Sequence, residues 1–214
     1  MVRDPATGHI FVIEGDPGTV TVIDPAQRKA IATINAGEKM EYATADDQGH
    51  VFVAGEANSD VVEIDAHTNR ITARWPAPNC KSPHGLALDK AGQRLFMGCA
   101  NARLVVLDAH SGDVVADLPI GSGSDAIAFD PVRKRVFSSN GRDGTVTIYQ
   151  QLSADEYTVR APIRTAVSGR TMTLDPATSR LFVIAADTDP TSTPGGRPHV
   201  RPGTVRALIY DPVQ

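Results

Sequence analysis

Apolar and polar residues alternate along this chain in short runs that stop at Gly, Asp, Asn or Pro. The clearest runs are Thr19-Val-Thr-Val-Ile-Asp24, Asp60-Val-Val-Glu-Ile-Asp65, Arg103-Leu-Val-Val-Leu-Asp108, Thr145-Val-Thr-Ile-Tyr149 and Thr204-Val-Arg-Ala-Leu-Ile-Tyr-Asp211. Short stretches rich in β-branched residues and closed by turn residues predict strands. A second set follows them: Ala30–Ile34, Arg70–Trp75, Val114–Leu118 and Tyr157–Ala161. A third set reads Tyr42–Ala45, Gly85–Leu88, Ala126–Phe129 and Thr171–Leu174. No helical apolar period of ten residues or more carries caps, so the chain reads as all-β.

These runs recur in register. An Asp, a turn, an aliphatic and a Phe repeat five times, at Asp4 to Phe11, Asp46 to Phe52, Asp89 to Phe96, Asp130 to Phe137 and Asp175 to Phe182. The spacings between the phenylalanines, taken from their residue numbers, are 41, 44, 41 and 45. Four short strands per repeat of this length is the pattern of β-propeller blades. One blade cannot bury both faces of its sheet, so stacking is expected to bury Phe11, Phe52, Phe96, Phe137 and Phe182 between neighbours. The expected fold is one propeller domain over 1–214, with five blades at about 1–37, 38–79, 80–121, 122–166 and 167–214. The first is expected to begin at its second strand and the last to stop after its third.

Comparison between the repeats separates fold from function. Shared positions hold the blade; a polar position that varies is free to serve something else. Five residues before the Asp that ends each innermost strand stand Glu41, His84, Asp125 and Arg170. All are ionisable and all differ. They start the innermost strands, so they are expected to ring one mouth of the central channel, where propeller loops converge. Three readings are open: a ligand or partner site, a metal held by Glu41, His84 and Asp125, or a solvated funnel in which Arg170 pairs with Asp125 or Glu41. The metal reading is the least favoured, because adjacent blades hold such side chains far apart for one ion. No metal and no cofactor is expected.

Composition narrows the function. Hydrophobic residues make up 41% and charged residues 21%, which fits a folded globular chain. The sequence contains no run of eighteen apolar residues, the length a membrane-spanning helix needs. The formal net charge of −4 and an aromatic share of 5% disfavour nucleic acid as a partner. The first residues, Met1-Val2-Arg3-Asp4-Pro5, carry no signal-peptide apolar region. There is no Gly-x-Ser-x-Gly elbow, phosphate loop or dinucleotide fingerprint. The Gly15–Gly18 and Gly141–Gly144 motifs read as turns between the second and third strands of their blades. Cys80 and Cys99 flank one hairpin, whose folding brings their ends together; a disulfide and two reduced buried thiols are the alternatives. The stretch from Asp187 to Gly203 is an insertion with a basic second half, Arg197, His199 and Arg201.

The motifs Gly18-Thr-Val-Thr-Val-Ile-Asp24, Cys80-Lys-Ser-Pro-His-Gly-Leu-Ala-Leu-Asp89, Arg94-Leu-Phe-Met-Gly-Cys-Ala-Asn101 and Arg170-Thr-Met-Thr-Leu-Asp-Pro176 resemble the YVTN-repeat, or YncE-like, β-propellers. These belong to a wider seven-bladed, lactonase-like group. The resemblance spans nearly the whole chain and implies about seven blades, so that five blades read as the C-terminal part of a longer, open propeller, with a closed five-bladed ring as the alternative. It also implies an exported parent protein, periplasmic or secreted, which agrees with a disulfide. The favoured expectation is a non-catalytic scaffold that binds a protein or small molecule at the channel mouth. The alternatives are a lactonase-like hydrolase of sugar lactones or esters, using Glu41, Asp125 and His84, and a single-stranded nucleic-acid binder. An open propeller would also self-associate through uncovered blade faces.

Overall fold

The computed structural model describes residues 1–189 and 199–212, all strands and turns with no helix among them. The first sheet runs β1 (Val2–Arg3), β2 (Ile10–Glu14), β3 (Thr19–Asp24), β4 (Lys29–Asn35). The second runs β5 (Met40–Ala45), β6 (His50–Gly55), β7 (Asp60–Asp65), β8 (Arg70–Pro76). The third runs β9 (Pro83–Asp89), β10 (Arg94–Cys99), β11 (Arg103–Asp108), β12 (Val114–Pro119). The fourth holds β13 (Ser124–Asp130), β14 (Arg135–Asn140) and β15 (Thr145–Gln151), with β16 (Tyr157–Val159) and β17 (Ile163–Arg164) both paired to β15. The fifth holds β18 (Thr171–Asp175), β19 (Arg180–Ala185) and β22 (Arg206–Tyr210), while β20 (Thr188–Asp189) and β21 (His199–Val200) form a separate hairpin. Every pairing is antiparallel between strands close in sequence, the meander of a propeller blade.

The repeated aspartates explain the turns. Asp46 Oδ1 accepts the Gln48 and His50 backbone N–H groups, and Asp130 Oδ1 accepts those of Val132 and Arg133. Asp24, Asp65 and Asp108 do the same between the third and fourth strands of their sheets. Each carboxylate replaces a backbone partner and fixes the hairpin. These hydrogen bonds, from the Gln27 N–H first in one case and the Thr68 N–H first in the other, hold the Asp24 and Asp65 carboxyls below the usual range.

The chain divides into two units, Met1–Leu118 and Pro119–Gln214. In the first unit, Phe11, Val20 and Val22 of the first sheet meet Val51, Val53, Val62 and Ile64 of the second. Phe52, Val61 and Trp75 of the second meet Leu86, Leu88, Leu95 and Met97 of the third. In the second unit, Phe137 and Val146 pack against Met172, Leu181 and Val183. The chain therefore builds blade-on-blade cores, as its repeats predict.

Two expectations need correction. The first sheet does not begin at its second strand, because Val2 and Arg3 pair with Phe11 and Ile10 as a short innermost strand. Two residues are too few for a periodicity to reveal. Phe182 is only partly buried, unlike Phe11, Phe52 and Phe96, and its neighbours Ile184 and Ile209 stand exposed. The insertion carries the paired strands β20 and β21; His199 and Arg201 are on or beside them, and Arg197 lies outside the described residues.

A polar network sits between the first two sheets. Arg74 Nη1 donates to Glu38 Oε1 at 2.5 Å and to Asp60 Oδ2 at 3.3 Å, and Nη2 donates to the Ala36 carbonyl. Glu38 Oε2 accepts the Asn58 N–H. One arginine thus serves two carboxylates. Burial, and then the Glu38 charge, push the Asp60 carboxyl up to about 6 against the pull of Arg74. A carboxyl whose folded pKa lies above its unfolded value binds its proton more tightly in the folded state. Its contribution is therefore fullest below about pH 4 and is lost as pH rises through 6. Asp60→Asn is expected to match the wild type near pH 4 and to be the more stable protein at pH 8. Urea unfolding at both pH values reads this; a variant weaker at pH 8 would refute the reasoning.

Candidate functional site

The varied ionisable position lies at the start of each first strand. In the first unit β5 and β9 run side by side, which brings Glu41 and His84 together. His84 Nδ1 lies 3.9 Å from Glu41 Oε1. Lys39, at the entry to β5, places Nζ 3.6 Å from Glu41 Oε1 and 2.6 Å from Glu56 Oε2. Ser82, just before β9, donates its hydroxyl to Glu56 Oε1 at 2.9 Å. The Glu56 N–H donates to the Lys39 carbonyl, tying the end of β6 to the start of β5. One ligand atom from each of Glu41, Glu56 and His84 falls within 4.8 Å of the other two.

The electrostatics follow from this crowding. Burial, and then the neighbouring Glu56, push the Glu41 carboxyl above the usual range, although His84 and Lys39 oppose them. For Glu56 burial acts upward, but the Lys39 ammonium and the Ser82 hydroxyl together hold its carboxyl below that range. The hydrogen bond to Glu56 raises the Lys39 ammonium in turn. The site is thus two adjacent carboxylates sharing one cation, with an imidazole 3.9 Å from one of them. An open cavity of about 400 Å³, lined by Lys39, Glu56, Ala57, Ser59, Lys81 and Ser82, adjoins it.

The cavity rim is fixed by the third sheet. Cys80 and Cys99 form a disulfide with Cα atoms 5.2 Å apart, within reach for such a bond. The turn beside it is held by the Lys81 N–H to Asn101 Oδ1 and by Asn101 Nδ2 to the Asn79 carbonyl. Lys81 and Ser82 are therefore carried on a cross-linked turn.

In the second unit β13 and β18 run side by side. There Arg170 Nη1 lies 3.7 Å from Asp125 Oδ1, both partly exposed. Ser139 Oγ donates to the Arg170 carbonyl and accepts the Ala126 N–H, which seats both strands. A Cβ on Gly141 would stand 2.7 Å from the Arg170 Cβ, so glycine at that position admits the arginine. Glu41 with His84 forms one cluster and Asp125 with Arg170 another.

Glu56 is the residue that comparison of a single repeat position misses. It stands four residues after its repeat Phe, where the other copies carry Gly15, Ala100, Gly141 and Ala186. The comparison that singles out Glu41 and His84, applied at this second position, finds it.

No protein-family model and no curated protein sequence matches the chain. Solved structures resemble it in fold. Hydrazine synthase of Kuenenia stuttgartiensis superposes with a TM-score of 0.70 at 12% identity, over 86% of this chain and 54% of that one. The dihydro-heme d1 dehydrogenase NirN, solved in complex with DHE, superposes with a TM-score of 0.68 at 18% identity, over 85% of this chain and 40% of that one. The chain spans only about half, or less, of these proteins. Likeness at such identity is likeness of fold, and with the antiparallel sheets it makes the chain an all-β propeller of several blades.

Proposed function

We propose that this chain is a non-catalytic binding propeller of the YncE-like kind, from an exported protein, with its ligand site at Glu41, His84 and Glu56. The observation that carries this reading is the convergence of residues that vary between otherwise fixed repeats. Glu41, Glu56 and His84 each replace a different residue type in the other blades, and they meet beside an open cavity. Fold maintenance does not ask for a glutamate at position 56, since the equivalent positions elsewhere hold glycine or alanine. The disulfide suits an oxidising compartment, and no helix among the described residues is long and apolar enough to cross a membrane. The paired carboxylates favour a ligand that presents a cationic group, with Lys81 and Ser82 on the rim for an anionic one.

A thermal-shift screen of amines, amino acids and carboxylates tests this on the wild type and on Glu41→Ala/His84→Ala. Compounds that raise the wild-type midpoint are expected to lose their effect on the variant. Undiminished shifts would move the site elsewhere. The same proteins, assayed for lactone opening at neutral pH, are expected to show none; opening that depends on Glu41 and His84 would replace binding by hydrolysis.

A further inference from the structure

The donor chemistry at this site is more specific than a charged rim. We propose that Glu41, Glu56 and His84 bind one divalent transition-metal ion, whose place the Lys39 ammonium takes; this deepens the binding reading above and rests on it.

Two carboxylates and an imidazole suit zinc or manganese better than magnesium or calcium, which prefer oxygen alone. Three atoms bonded to one such ion at about 2.1 Å lie roughly 3.4 Å apart. The present groups fall within 4.8 Å of one another, so small rotations of partly exposed side chains close the set. The three ligands come from separate segments, β5, the residue after β6, and β9.

A cationic group already sits among them. Lys39 Nζ lies 2.6 Å from Glu56 and 3.6 Å from Glu41. Its side chain is 43% exposed, and a surface ion pair of this kind is weak enough for the lysine to swing out. Glu56 is already oriented toward the ion's position. Ser82 engages its Oε1, while Oε2 is buried and turned to the shared cation. Hydrogen bonds of this outer kind align metal-binding carboxylates. The adjoining cavity leaves room for water or a ligand group as the fourth donor.

Equilibrium dialysis against zinc chloride, with bound zinc measured per chain, tests the assignment. Wild type is expected to hold one equivalent more than His84→Ala or Glu56→Gln, each of which should weaken that site at least tenfold. His50→Ala, at the separate Asp46–His50 pair, should leave it unchanged. Lys39→Met should bind at least threefold more tightly, since the competing ammonium is gone. That gain is the signature that scattered surface histidines cannot produce. Circular dichroism confirms that each variant is folded. Zinc uptake indifferent to Lys39, or retained by both ligand variants, would overturn the proposal. If zinc fails while Glu41→Ala/His84→Ala still abolishes the thermal shifts by organic ligands, the metal falls and the binding reading stands.

Discussion

Phe52→Ala is expected to cost about 3–5 kcal/mol of folding stability, the usual range for removing a large buried aromatic side chain. Phe52 is 1% exposed and packs on Trp75 with ring centroids 5.6 Å apart. Its cluster joins the second and third sheets through Val61, Leu86, Leu95 and Met97. Truncation loses the transfer of the ring and leaves a cavity that β-strands, tied on both edges, cannot collapse to fill. Phe182→Ala removes the same atoms from the same repeat position. Phe182 is only partly buried and stands beside the exposed Ile184 and Ile209, so the loss should be well under half as large. Urea unfolding of both variants measures the contrast. Equal losses would contradict blade-on-blade burial as the source of the stability.

The second large effect concerns the cross-link. Cys80→Ser/Cys99→Ser opens a loop of 19 residues and is expected to cost about 3 kcal/mol, from the entropy released to the unfolded chain. For a chain of this size that lowers the thermal midpoint by roughly 6–12 °C. Both sulfurs belong to buried residues, at 1% and 0% exposure, so the serines gain no solvent to offset the loss. The turn that carries Lys81 and Ser82 should loosen with it, so that ligand-induced stabilisation falls even where the variant is folded. A midpoint unchanged on mutation would mean that Asn101 and the backbone bonds hold the turn alone.

The repeat made the blades legible because each copy places its distinctive residues on the same mechanical parts. The Asp that closes a turn and the Phe that fills the next interface are visible at a fixed spacing. What escaped depends on contacts between distant residues or on very short elements. Val2–Arg3 forms a strand only because Ile10 and Phe11 lie opposite. Ile163–Arg164 returns to pair with β15 beyond Ala161-Pro162, where the proline marks the interruption but not the renewed pairing. The sharing of Arg74 between Glu38 and Asp60 joins residues 36 and 14 positions apart. Glu41 and His84 stood out because they vary; Glu56 escaped because only one position of each repeat was compared.

The central claim is that Glu41 and His84 serve a ligand and not the fold. Urea unfolding of Glu41→Ala/His84→Ala tests it without knowledge of that ligand. Their mutual distance of 3.9 Å and partial exposure make a pair worth little to stability, within about 1 kcal/mol. Removing Glu41 also relieves its repulsion with Glu56. The predicted midpoint is therefore that of the wild type or slightly higher. A loss approaching that of Phe52→Ala would show these residues holding the blades together, and the site would lose its claim to function.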